Sequence, residues 1–318
     1  MNDDDLTYAI SRLDERSTDV ALAYVGTIEA PITRAVIWAS LWNAVRDGLL
    51  DPLRFIVAVL TAVPAETEPA IRDRLLLFVS EALSSFLPGS LRGDVHDQVL
   101  ATTIRLSREA ADADAWRSYT RAFIAEFAAR GGDEYEATVR ALAASDNPDI
   151  AWRARRALAA RGLVDADAIE AWRSADGSGE AARMSVEALA SLPLEDARSS
   201  AWESVYSESL SNDFLTATLA GLNASSWEGD SGLDSAVDRL RSYWEAHTIG
   251  MALRYANGVL AYGLDIDRDG SIERSVGLLR GWLDAHGDAP AQLRRIVLEH
   301  LDAFERDERV QRRWKQDQ

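Results

Sequence analysis

No cysteine occurs in the 318 residues, which removes disulfides, thiol nucleophiles and thiolate metal ligands together. Histidine is scarce: His96, His247, His286 and His300 are scattered, and none has a second histidine at helical spacing. The His-Glu-x-x-His pair that would present two imidazoles to a hydrolytic zinc on one helix face is missing. So are Gly-x-Ser-x-Gly, Gly-x-Gly-x-x-Gly and a Gly-rich phosphate loop ending in Gly-Lys-Ser/Thr. Catalysis has no visible seat, and no catalytic, cofactor-binding or metal-binding residue is assigned.

Long apolar runs are lacking too. The longest, Phe55 to Leu60, falls far short of the ~20 residues that span a bilayer. The start, Met1-Asn2-Asp3-Asp4-Asp5, is acidic where an export signal would be basic and then apolar, so cytoplasmic residence is the expectation. Net positive charge is absent as well: at −18 the chain is a poor match for nucleic acid, whose affinity comes mostly from clustered cations and released counterions. Anionic membranes are disfavoured for the same reason, and a cationic or N-terminally charged peptide is the easier partner. Lysine is nearly missing, with Lys315 alone among 34 basic residues, a composition bias to which no function attaches.

What is present is a soluble globular composition, 47% hydrophobic and 27% charged. Between Pro31 and Val63 the repeating unit shows itself. Trp38, Leu41, Trp42, Val45 and Leu49 fall on one helical stripe, Arg46-Asp47-Gly48 breaks the period, Asp51 offers a cap with Pro52 at the first helical position, and Leu53, Ile56, Val57 and Leu60 resume it. Such a hairpin leaves apolar flanks that further hairpins must cover.

The same pattern continues along the chain. A polar lead-in precedes helices over Leu13–Val25, Pro69–Phe86, Val95–Ala111, Ala115–Ala129, Tyr135–Ala144 and Trp152–Ala160, the last ending at Gly162 with Leu163 as the apolar contact of the cap. Asp165 caps the next, Ala181–Leu192 and Glu195–Ser207 follow, and Phe214–Leu222 is helical before a Ser/Gly-rich stretch, Asn223 to Gly232, that reads as a flexible loop. Ala236–Ala246, Thr248–Tyr262, Ile272–Ala285 and Ala291–Trp314 complete about fifteen helices, and nothing alternates with period two long enough for a strand. The expectation is all-α: an irregular α-solenoid of the HEAT or armadillo kind, with residues 1–10 an interdomain lead-in and 11–318 one domain.

Three local features carry possible chemistry. Asp265, Asp267 and Asp269 with Gly270 copy the opening of a calcium-binding EF-hand loop, but Val276 stands where its bidentate glutamate belongs, so a helix-capping turn is the expected role. Arg294, Arg295, Arg306, Arg309, Arg312 and Arg313 form the one basic concentration, with Asp302, Glu305 and Glu308 each four residues ahead of an arginine, the spacing of a self-supporting solvated helix. Some of these arginines could instead grip peptide carboxylates in forked geometry. The ten tryptophans, including Trp38, Trp42, Trp152, Trp172 and Trp202, mostly lie on apolar stripes and read as core.

Several stretches resemble the C-terminal helical domain of bacterial aminopeptidase N, a zinc metallopeptidase family. They are Asn2 to Ala9 with Arg12 to Ser17, similar to the entry from a small β domain into the helical one, Arg34 to Asp47, Ala157 to Asp165, Asp167-Ala168-Ile169, Leu192 to Trp202 and Pro290 to Arg295. The resemblance implies an excised or isolated domain, inactive alone, that gates access of peptides to a catalytic domain. The family's zinc motif and its Gly-x-Met-Glu-Asn segment are not found here, so zinc belongs to the full-length enzyme and no catalytic residue carries over. Between Asn223 and Tyr243 the family's pattern gives way to Ser225-Ser226-Trp227-Glu228-Gly229-Asp230, which leaves the local geometry of the family's bowl unassigned. The expected partners are that catalytic domain and peptide substrates. The alternative is a free-standing helical-repeat adaptor with a protein or peptide on its concave face.

Overall fold

The computed structural model describes residues 11–207, 210–224, 232–261 and 271–316. Among them there are seventeen α-helices, short 3-10 and π turns, and no strand, so the all-α expectation holds. Two compact units share the chain. Described residues up to Phe123, with 271–272 and those from Glu305 on, form the first, and the rest of the stretch from Ile124 to Phe304 forms the second.

The first unit contains α1 (Glu15–Tyr24), α2 (Pro31–Arg46), α3 (Pro52–Ala62), α4 (Pro69–Glu81) and α5 (Gly89–Arg108), the first part of α6 (Ala113–Arg130) and the last turns of α17 (Ala291–Gln316). Proline at the first helical position opens α2, α3 and α4, where its missing N–H costs no intrahelical bond. The α2–α3 turn forms as the sequence predicts. Gly48 takes φ +69°, the amides of Leu49 and Leu50 return to the Ala44 carbonyl at 2.8 and 3.0 Å, and the Asp51 carboxylate accepts from the Leu53 amide at 2.8 Å. Within the core Trp42 stacks on Phe78 at 4.4 Å, Trp38 meets Phe55 edge-on at 5.9 Å, and Phe86 closes on Trp42 at 5.6 Å. Two stripe residues, Leu49 and Val57, are exposed, while Phe55, off the predicted stripe, is fully buried. Leu49 falls in the turn past the end of α2, and α3 packs against α1, α2, α4 and α5, so the arc it buries is set by these neighbours rather than by one stripe.

In the second unit α7 (Glu136–Ala143) pairs with α8 (Pro148–Ala160), and α8, α10 (Gly179–Ser191), α12 (Asn212–Ala224) and α15 (Ile249–Val259) pack one on the next. Beside this row run α9 (Ala166–Asp176), α11 (Glu195–Val205), α13 (Leu233–Asp238) and α14 (Leu240–Ala246). The predicted caps form: Asn147 and Asp165 accept from the Ile150 and Ala168 amides, and Leu163 returns to the Leu158 carbonyl past Gly162 at φ +67°. Gly221 lets α12 approach α10 so closely that a Cβ there would collide with the Glu187 carbonyl oxygen and sit 2.7 Å from the Ala190 Cβ. The single helix expected over Ala236–Ala246 is two, broken at Arg239. In α16 (Ser271–Ala285) the C-terminal carbonyls of Leu283 and, just beyond, His286 accept from Arg294 at 2.8 and 2.7 Å.

Candidate functional site

The structure distributes the residues singled out in the sequence rather than gathering them. His247 and His286 each bond a carbonyl one turn back, Tyr243 at 3.0 Å and Trp282 at 2.9 Å, and stack on those same rings. His300 lies 3.4 Å from the Asn257 side-chain oxygen, with its pKa lowered by burial, and His96 is buried in α5. Trp38, Trp42 and Trp152 are core, as expected, and the Trp152 indole donates to Asp176 at 2.9 Å. Glu308 and Arg312 form the predicted surface pair at 2.8 Å, but Arg294 is spent on helix capping, and Arg306 is partly buried beside Asp307 at 3.9 Å. The loop with Asp265, Asp267 and Asp269 lies outside the described residues.

Two polar centres were not foreseen, both in the first unit. Arg34 on α2 and Glu66, ahead of α4, are buried and face each other through two bonds of 2.9 and 2.5 Å. The guanidinium also donates to the Ile28 and Glu29 carbonyls, and Glu66 accepts from the Glu68 amide at 2.9 Å. Burial alone would push the Glu66 carboxyl up, but the Arg34 bond and the Glu68 amide outweigh it and bring it below the ordinary carboxylate value. Arg72 extends the network to the Glu66 carbonyl and to Ser118, with its guanidinium 5.7 Å from the Tyr119 ring centre. A fully bonded network of this kind holds the turns before α2 and α4 in one geometry.

The second centre is unlike it. Asp307 on α17 is 9% exposed, and among the described residues its ion-pair partner is Arg306 at 3.9 Å. Burial, helped by the charge of Glu81 and opposed by Arg306 and Arg46, pushes its carboxyl up to about 7. The Nε atoms of Arg46 and Arg306 are buried without a hydrogen-bond partner. Asp307 therefore exchanges a proton near neutrality. One signal was legible: Asp307 interrupts the apolar stripe Phe304, Val310, Trp314, where a hydrophobic side chain belongs.

The second unit carries an aromatic centre. Tyr243 is sandwiched between His247 at 3.8 Å and Tyr255 at 3.9 Å, Tyr206 lies 3.3 Å from the Tyr255 hydroxyl, and Arg239 sits 4.3 Å over the Tyr206 ring. Tyr255 donates to the Ala236 carbonyl at 2.8 Å, whereas the buried Tyr243 hydroxyl has no partner among the described residues. Desolvation, with Tyr206 adding to it, pushes Tyr243 up to about 12, so these phenols stay neutral at physiological pH. The rings touch face to face, an arrangement that builds rigidity rather than a slot for a ligand.

The sequence model of the ERAP1-like C-terminal domain family matches residues 1–306. The chain belongs to this family. It is also 28% identical over 324 residues to aminopeptidase N of Streptomyces lividans, a match that covers 98% of this chain and 36% of that protein. The chain thus spans about a third of the length of that relative, and the resemblance read from the sequence is borne out. For zinc, which the aminopeptidase N resemblance implies for the full-length enzyme, the described residues offer no site: among them no three of His, Asp and Glu are placed to hold a metal ion. None of the described helices is long and apolar enough to cross a membrane.

Proposed function

We propose that this ERAP1-like C-terminal domain gates peptide access in an aminopeptidase N-type enzyme and works beside a catalytic part of the same enzyme that performs the zinc chemistry. One observation carries this: the family match over residues 1–306, joined to a relative called aminopeptidase N of which the chain spans 36%. Binding the distal part of a peptide, excluding folded proteins and closing around substrate are physical contributions that need no catalytic residue in this chain. Its acidic balance of −18 supports attraction of peptides that carry a positive amino terminus.

The test has two arms. Incubated with zinc and an aminoacyl chromogenic substrate, the chain alone should show no turnover. Exchanged for the matched part of the Streptomyces lividans enzyme, it should make kcat/KM depend on peptide length. Zinc-dependent turnover by the isolated chain, or a length profile unchanged by deleting it from the chimera, refutes the proposal.

A further inference from the structure

The amino-terminal edge of the first unit is apolar where solvent should meet it. Helix α1 contributes no buried side chain, and its Val20 and Tyr24, one turn apart, are 53% and 62% exposed. On α2, Ile32 and Val36, also one turn apart, are 77% and 40% exposed. Of ten large apolar side chains exposed among the described residues, these four fall within one short stretch. Along α1 lies a groove of about 320 Å³ lined by Leu13, Val20, Tyr24, Ile28 and Ile37, with Arg16 its one charged wall; Ile32 and Val36 stand outside it. Arg16 makes no ion pair among the described residues.

A helical array that stands alone covers its terminal helices with polar side chains, because an apolar outer face invites association. This edge does the opposite. The chain spans 36% of aminopeptidase N from Streptomyces lividans, so a protein of that kind holds nearly two thirds of its length outside the matched part. We propose that the α1–α2 face is the docking surface for that remaining part of an aminopeptidase N-type enzyme, which presents apolar side chains to Val20, Tyr24 and Ile32 and a carboxylate to Arg16. Docking here presupposes the proposed function but not the gating itself.

Two measurements decide it. In the isolated chain the face should be open: sedimentation velocity should give a monomer, and bis-ANS should bind with fluorescence that falls at least threefold in Val20→Asp/Tyr24→Asp, both at exposed positions. A dimer split by those substitutions would mean that a second copy covers the face. Probe binding that appears only after residues 1–10 are removed would mean that the chain covers it itself. Either result overturns the proposal. In the chimera with the Streptomyces lividans enzyme, amides of α1, Glu15–Tyr24, should exchange at least tenfold more slowly than in the isolated chain, because a short unburied helix frays freely until it is packed. Equal exchange overturns the proposal. Peptide-length selectivity, read separately, reports on gating alone: its loss with α1 still protected sinks the gating and leaves the docking surface intact.

Discussion

Replacing Asp307 with Asn should stabilise the protein at alkaline pH and leave it unchanged only in acid below the ordinary carboxyl value of 3.8, where folded and unfolded chains both hold the proton. Asp307 is buried at the α17 end beside Arg306, with Glu81 from α4 and Arg46 from α2 acting on it, and its carboxyl is pushed up to about 7. In the unfolded chain it returns to an ordinary value near 3.8. The native state therefore binds this proton more tightly than the unfolded one. Its contribution is fully present below the unfolded value and is lost as pH rises toward and through about 7, where the fold must hold a buried anion. At about 1.4 kcal/mol per pH unit, the gap corresponds to on the order of 4 kcal/mol as a ceiling. Loosening of the last turns of α17 limits what is measured to roughly 2 kcal/mol, since local opening relieves a buried charge before the whole fold yields. Asparagine keeps the shape of the protonated acid and cannot ionise. Urea unfolding at about pH 3.5 and about pH 8.5 should show wild type and variant within about 0.5 kcal/mol at the lower pH, and the variant more stable by roughly 2 kcal/mol at the higher. A difference of the same size at both pH values, or a variant weaker at 8.5, would refute the assignment of a neutral buried acid.

Arg34→Ala strands the Glu66 carboxylate in the core and should cost about 3–5 kcal/mol in urea unfolding, while Arg34→Met/Glu66→Leu should recover most of it. Gly221→Ala forces a methyl against the Glu187 carbonyl and Ala190. It should lower stability by about 1–3 kcal/mol, against the slight gain that alanine gives in an uncrowded helix. Tyr243→Phe removes a buried hydroxyl without a partner and should be neutral or stabilising by thermal melt, whereas Tyr255→Phe, which orphans the Ala236 carbonyl, should cost about 1–2 kcal/mol.

Helix formation was open to reading because its signals are local. Asp51-Pro52, Asn147-Pro148, Asp165 and Gly162 each act within one turn of themselves, and each forms the cap or stop that its chemistry requires. Stripe membership was less secure: Val57 faces solvent while Phe55 is sealed, because the helices packed around α3 decide which of its arcs is covered, and Leu49 falls in the turn past α2. The resemblance to aminopeptidase N also rested on linear stretches, and a family match over residues 1–306 bears it out.

By itself, then, the sequence determined an all-α chain, the place of most of its helices though not the start of α5 or the break at Arg239, and its membership of a family of C-terminal domains, all of which depend on residues near one another in the chain or on linear likeness. Tertiary structure alone decided which charges are buried and with whom. Arg34 meets Glu66 across 32 positions, and Asp307 reaches Glu81 and Arg46 from the far end of the chain. Burial and partnership are properties of the packed neighbourhood, and no spacing along the chain records them.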